Sequence, residues 1–113
     1  MVIDGNVIEI GTLNQLKSGS SVLTIKVRHR AYNPTARTFT GEVVYDVELR
    51  KQLAENAHTS LTIGDDVIID ADEHDLAATI YTDSHGRNHP QLSGAKARNI
   101  GISIRSEALP VTT

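Results

Sequence analysis

Residues 21–49 constrain this chain more than any other stretch. From position 22 the sequence reads Val-Leu-Thr-Ile-Lys-Val-Arg-His-Arg, so Leu23, Ile25 and Val27 alternate with Thr24, Lys26, Arg28 and Arg30. A period of two rich in β-branched residues is a strand with one buried face. Asn33-Pro34-Thr35-Ala36 supplies turn chemistry, because proline presets φ and asparagine tolerates tight bends. Residues 41–49 return with strand composition. A long hairpin is predicted, with three cations along its polar face. Charged strand residues are often no more than a solvated surface. Like charges on one face repel, however, and their clustering favours contact with an anion.

The rest of the chain fills in around this ribbon. Val7-Ile8-Glu9-Ile10-Gly11-Thr12-Leu13 predicts an earlier strand, with a bulge or sharp bend at Gly11 of the kind small closed barrels need. Residues 14–20 read as a polar connection. After residue 50 the period changes. Leu53, Ala57 and Leu61 stand at helical spacing with Lys51, Gln52, Glu55 and Asn56 between them, and Gly64 follows. This predicts one short helix over residues 51–60. Residues 65–70 predict a strand that 72–75 interrupt and 76–81 continue. Asp83, Ser84, Gly86 and Asn88 mark a hairpin loop. The final strand, 91–105, is weak in its middle, and Pro90 fits its start or an edge. The order is strand, strand, strand, helix, strand, strand. That is the order of an all-β, five-stranded OB-fold barrel, whose closure also removes exposed strand edges. Residues 1–106 are expected to form the domain and 107–113 a flexible C-terminal end.

Composition excludes several classes. At 113 residues the chain holds one core. No apolar run approaches the ~20 residues that span a bilayer, and the first residues lack a secretory pattern. There is no cysteine, hence no disulfide or thiolate metal site, in keeping with a cytoplasmic protein. The net charge of −3 weighs against a strongly basic nucleic-acid binder, although placement matters more than the sum. Six acids (Asp65, Asp66, Asp70, Asp72, Glu73 and Asp75) crowd one segment without a Lys or Arg. With His74 they offer oxygen and imidazole ligands suited to Mg²⁺ or Mn²⁺, but the segment lacks a calcium-loop pattern and the glycine its turn needs. His85 and His89 flank a hairpin turn and could chelate a metal weakly, but they read first as polar loop residues. Nucleophile-elbow, P-loop, zinc-protease and dinucleotide motifs are absent. No enzyme activity, cofactor or metal is expected.

Several pieces resemble the bacterial single-stranded DNA-binding proteins, particularly the actinobacterial type. They are Val7–Leu13, Thr40-Gly41-Glu42, Leu53-Ala54-Glu55-Asn56-Ala57 and Leu61-Thr62-Ile63-Gly64 with Val67-Ile68-Ile69. Ile80-Tyr81-Thr82-Asp83-Ser84-His85-Gly86 and Ile100-Gly101-Ile102-Ser103-Ile104-Arg105 complete the set. Together they span about residues 6–105 in the family's order, and the helix-to-strand piece with the Tyr-Thr-Asp-x-x-Gly hairpin is the most specific. The resemblance implies sequence-tolerant binding of single-stranded DNA by base stacking and phosphate contacts, in replication, recombination and repair. It also implies a homotetramer, with a dimer second, in the cytoplasm at the nucleoid, and replication or repair proteins as partners. Tyr32 falls where the family has an aromatic leaving the second strand. Tyr45, or Val44 beside it, falls on the third-strand aromatic, and Tyr81 opens the last hairpin. A further family aromatic is replaced by Leu49 or Arg50. The candidate contacts are Lys26, Arg28, Arg30, Tyr32, Arg37, Phe39, Tyr45, Arg50, Tyr81 and Arg87.

The sequence departs from the family in four ways, one of them a connection over residues 14–20 that is shorter than the family's. Its only aromatics besides histidine are Tyr32, Phe39, Tyr45 and Tyr81. Residues 72–75 are acidic where the family's strand is basic. The family's Gly/Pro/Gln-rich tail with its acidic tip has no counterpart, which fits a truncated chain, a specialised or phage-type relative, or recruitment by another route. Two other readings stay open: a primosomal replication protein N-like restart accessory, and an OB-fold protein-interaction module that does not bind DNA.

Overall fold

The computed structural model describes residues 1–33, 35–72 and 76–103, without the side chains of 31–33 and 38–40. Tyr32 and Phe39 are therefore placed by backbone only. The interrupting residues 73–75 and the expected C-terminal end lie outside the described residues. The elements are β1 (Val2–Ile10), β2 (Asn14–Gln15), β3 (Ser21–Asn33), β4 (Thr38–Arg50), α1 (Lys51–Ser60), β5 (Asp66–Asp72), β6 (Ala77–Thr82) and β7 (Asn88–Ile102).

The sheet runs β1-β5-β7-β4-β3-β2, and β1 also pairs β3. That second pairing closes five strands into the predicted OB-fold barrel. All pairs are antiparallel except β4 with β7. Two details differ from the sequence reading. The connection after β1 contains the two-residue β2, paired to the start of β3. The predicted bend at Gly11 lies earlier: the register shift is between Val7 and Glu9. Gly11 instead donates its N–H to the Thr24 carbonyl at 2.9 Å, just past the strand.

The period of two sorts the strands as expected. Leu23, Ile25 and Val27 of β3 point inward and are fully buried, as are Val7 of β1, Val47 and Leu49 of β4, and Val67 and Ile69 of β5. Each such side chain contributes about 1.5–3 kcal/mol by leaving water. The helix lies where its spacing put it. Ala54 and Ala57 join the same core, and Leu53 and Leu61 pack against it. Ser21, buried at the start of β3, donates to Glu55 Oε2 at 3.0 Å and ties the helix to the ribbon. No described helix is long and apolar enough to cross a membrane.

Strand β7 serves two partners on one side. Its first half pairs β6 in a hairpin, and its second half pairs β5 in the barrel. Between the halves sits Gly94, at a φ of 100° that other residues rarely adopt. There the register against β4 slips between Asp46 and Val47. The slip changes which residues face out: Gln91 and Ser93 share the outer side with Asp46, whereas Ala95 lies inward with Val47. Such a glycine bulge is the predicted weakness of residues 93–97 put to use.

Candidate functional site

Strands β3, β4, β7 and β6 form a continuous outer surface, and register alone decides what it carries. Lys26 stands opposite Asp46, Arg28 opposite Val44, and Arg30 opposite Glu42. Gln91 stands beside Val44 and Thr79, and His89 opposite Tyr81. Lys26, Arg28 and Arg30 are thus on one side of β3.

The cations do not, however, form an isolated positive row. Lys26 Nζ lies 3.1 Å from Asp46 Oδ1, and Arg30 Nε lies 3.5 Å from Glu42 Oε2. Arg50 pairs Glu48 at 2.9 Å, two residues back on its own strand. The expected like-charge crowding is relieved by acids on the neighbouring strand, which the hydrogen-bonded ladder brings into register. Arg28 faces Val44 and makes no side-chain hydrogen bond or ion pair among the described residues.

Lys26 is held on three sides. Besides Asp46 it donates to Gln91 Oε1 at 3.0 Å, and its ammonium sits 5.6 Å from the centroid of the Tyr81 ring. That is the range of a cation–π contact. Gln91 is buried and fully engaged: its Nε2 donates to Thr79 Oγ1 at 2.9 Å and Ser93 Oγ at 3.0 Å. It therefore locks β3, β7 and β6 into one polar surface.

A second knot sits at the hairpin base. His89 Nε2 is 2.8 Å from Asp83 Oδ2, and His89 Nδ1 is 2.9 Å from Glu42 Oε1. Only the doubly protonated ring donates to both carboxylates. The Glu42 approach lacks hydrogen-bond alignment, and that buried oxygen has no aligned donor among the described residues. The Tyr81 and His89 rings lie 5.8 Å apart, tilted by 36°. No three His, Asp or Glu residues converge on a metal position among the described residues.

Asp83 organises the β6–β7 turn. Its Oδ1 accepts the N–H groups of His85 at 2.8 Å and Arg87 at 2.9 Å. The His89 hydrogen bond, with these backbone donors, lowers its pKa from 3.8 to about 2. A carboxylate that is easier to ionise in the folded chain stabilises the turn fully above pH 3.8. That contribution is lost as pH falls toward about 2. The Asp83 carboxyl resonance is accordingly expected to titrate near 2, with the Arg87 amide following it; a midpoint near the ordinary value would contradict the turn as described.

The other sequence candidates are dispersed. Arg37 is exposed in the β3–β4 turn and Arg87 in the β6–β7 turn. Tyr32 and Phe39 pair backbone to backbone near the outer end of the β3–β4 hairpin. Tyr45 lies opposite the buried Val27 and packs against the core, on the side away from Lys26. Arg50 caps the ribbon at the helix start and is engaged by Glu48. The sequence reading missed Gln91, His89, Asp46 and Glu42. Alternation marks all four: 42, 44, 46 and 48 share a side of β4, and 89, 91 and 93 share a side of β7.

Closed barrel, interposed helix and long outward hairpins define the class: this is an OB-fold domain with a polar, cation-bearing outer sheet. No family model and no curated protein match the sequence. Among solved structures, the chain is similar to the small single-stranded DNA-binding protein from Streptomyces coelicolor. The TM-score is 0.69 at 22% identity, covering 94% of this chain and 92% of that one. At that identity the likeness carries the fold, and it is the fold that the family resemblance implied.

Proposed function

We propose that this chain is a non-enzymatic, sequence-tolerant binder of single-stranded DNA. The observation that carries the reading is the outer side of β3, β4, β7 and β6, where Lys26, Arg28, Arg30 and Tyr81 meet. The fold is that of a protein described as binding single-stranded DNA. A base has a π-face whatever its identity, so stacking on Tyr81 tolerates any sequence. Phosphates of the same strand reach Arg28 first and then Lys26 and Arg30, and exposed Arg37 and Arg87 extend the track to the two hairpin tips. Tyr32 and Phe39 are further stacking candidates. Tyr45 and Arg50 contribute less on this reading, because one packs on the core and the other is engaged by Glu48.

The cellular role that follows is the cover of exposed strands in replication, recombination and repair, in the cytoplasm at the nucleoid. The working form is a homo-oligomer, a tetramer first and a dimer second, with replication or repair proteins as partners. Sedimentation velocity with labelled oligo-dT at two salt concentrations tests binding and assembly together. The expected result is co-sedimentation that weakens with salt, on a particle larger than one chain.

One observation favours a second reading. The cross-strand acids Asp46 and Glu42 leave the face nearly balanced in charge, as suits a protein-interaction module. Oligo-dT that stays unbound at low salt would put that reading first.

A further inference from the structure

We propose, resting on the single-strand reading above, that Asp46 sets how tightly this face holds DNA, by competing with phosphate for Lys26. The ammonium has three N–H donors. One faces Asp46 Oδ1 at 3.1 Å, one faces Gln91 Oε1 at 3.0 Å, and the group as a whole sits over the Tyr81 ring at 5.6 Å. Two of the three are thus engaged, so a phosphate that takes the charge of Lys26 must compete with Asp46 for it. Lys26 also sits over the ring on which a base would stack. One displacement therefore does two things: a phosphate that draws Lys26 from Asp46 also uncovers Tyr81.

The neighbouring cation makes the contrast. Arg28 stands opposite Val44, with no carboxylate to give up. It meets a phosphate directly and releases the small ion that had screened it. Lys26 is already neutralised by Asp46, so the cation that its transfer frees from the phosphate is offset by one that the uncovered Asp46 carboxylate takes up from solution. Gln91 is a positioning residue here. Buried, and held by Thr79 and Ser93, it keeps Lys26 over the ring rather than in solvent. The face is thus partly self-occupied, and the extent is decided by one carboxylate.

The test is an anisotropy titration of labelled oligo-dT across a salt series, with wild type, Asp46→Asn, Asp46→Ser and Asp70→Asn. Asp46→Asn keeps shape and removes charge, and Asp46→Ser repeats the loss should the asparagine variant fail to fold. Each is expected to tighten binding about fivefold at low salt, the upper range for an exposed ion pair. The slope of log affinity against log salt should steepen by about 0.7, because the cation that Lys26 displaces from phosphate is no longer offset by one taken up at Asp46. Asp70 pairs Arg98 at 3.3 Å on β5, away from this face. Asp70→Asn makes the same charge change there and is expected to stay within about twofold, since solvent ions screen remote charges. Unchanged binding in both Asp46 variants, or an equal gain in Asp70→Asn, overturns the proposal while the single-strand reading stands. If neither wild type nor the Asp46 variants bind, the single-strand reading falls and this inference falls with it.

Discussion

Gly5→Ala is expected to cost about 3 kcal/mol of stability, at the upper end of what overpacking a folded interior does. Gly5 sits one residue before β1 passes from β5 to β3: it faces Val67, and the next residue, Asn6, faces both Asp66 and Arg28. A Cβ at Gly5 would lie 2.3 Å from the Arg28 carbonyl oxygen and 2.8 Å from its carbon. Both are backbone atoms in the middle of a strand, so no rotamer change relieves the overlap. Either β1 lifts from β3, which opens the barrel, or the ladder shifts and exposes Val7 and Val27. For a domain of this size the loss corresponds to a melting temperature lower by about 15 °C. Gly101→Ala is the control, because a Cβ there meets nothing within 4 Å. It should stay within about 0.5 kcal/mol of wild type. Thermal melts followed by circular dichroism compare the two, and a Gly5→Ala melt that overlays the control would refute the account of closure.

Tyr81→Ala is expected to weaken oligo-dT binding by about 1–3 kcal/mol, the measured range for one base-stacking platform. The ring is the described aromatic on the outer sheet face, since Tyr45 packs on the core. Tyr81→Phe keeps the π-face and should bind nearly as wild type does. Stacking releases few ions, so the salt slope in Tyr81→Ala should change much less than it does on loss of a phosphate contact. Arg28→Ala should do the opposite, with a shallower slope and a smaller loss at high salt. Titrations of the three variants over a salt series separate the two contributions. A Tyr81→Ala variant that binds like wild type would move the stacking role to Tyr32 or Phe39, or to no aromatic at all.

What the sequence disclosed and what it hid follow from the range of the interactions. The ribbon, the helix over residues 51–60 and the element order rest on local periodicity, and local periodicity is written in consecutive residues. The alternation that places Leu23, Ile25 and Val27 inward also places Tyr45 with Val47 and Leu49, whereas the family correspondence implies a base-stacking ring there. The partners of the cations were harder to see. That Asp46 meets Lys26 depends on the β3–β4 register, twenty residues apart in the chain. That Gln91 meets Lys26 depends on the parallel pairing of β4 with β7, which joins residues 65 apart in the chain. Gly5 gave no signal, because its need for a bare Cα comes from a strand 23 positions away.

The bulge at Gly94 decides which chemistry the hairpin displays. A strand shows odd residues on one side and even on the other, and one extra residue exchanges them. As built, His89 and Gln91 look out beside Tyr81, and Leu92 looks in beside Tyr45. In a chain one residue shorter at this point, with the barrel half of β7 kept in place, the facing would reverse. Pro90, Leu92 and Ile80 would then occupy the outer side, and a wet, charged panel would become an oily one. Length at position 94 therefore decides which side of the β6–β7 hairpin lies beside Lys26 and Asp46.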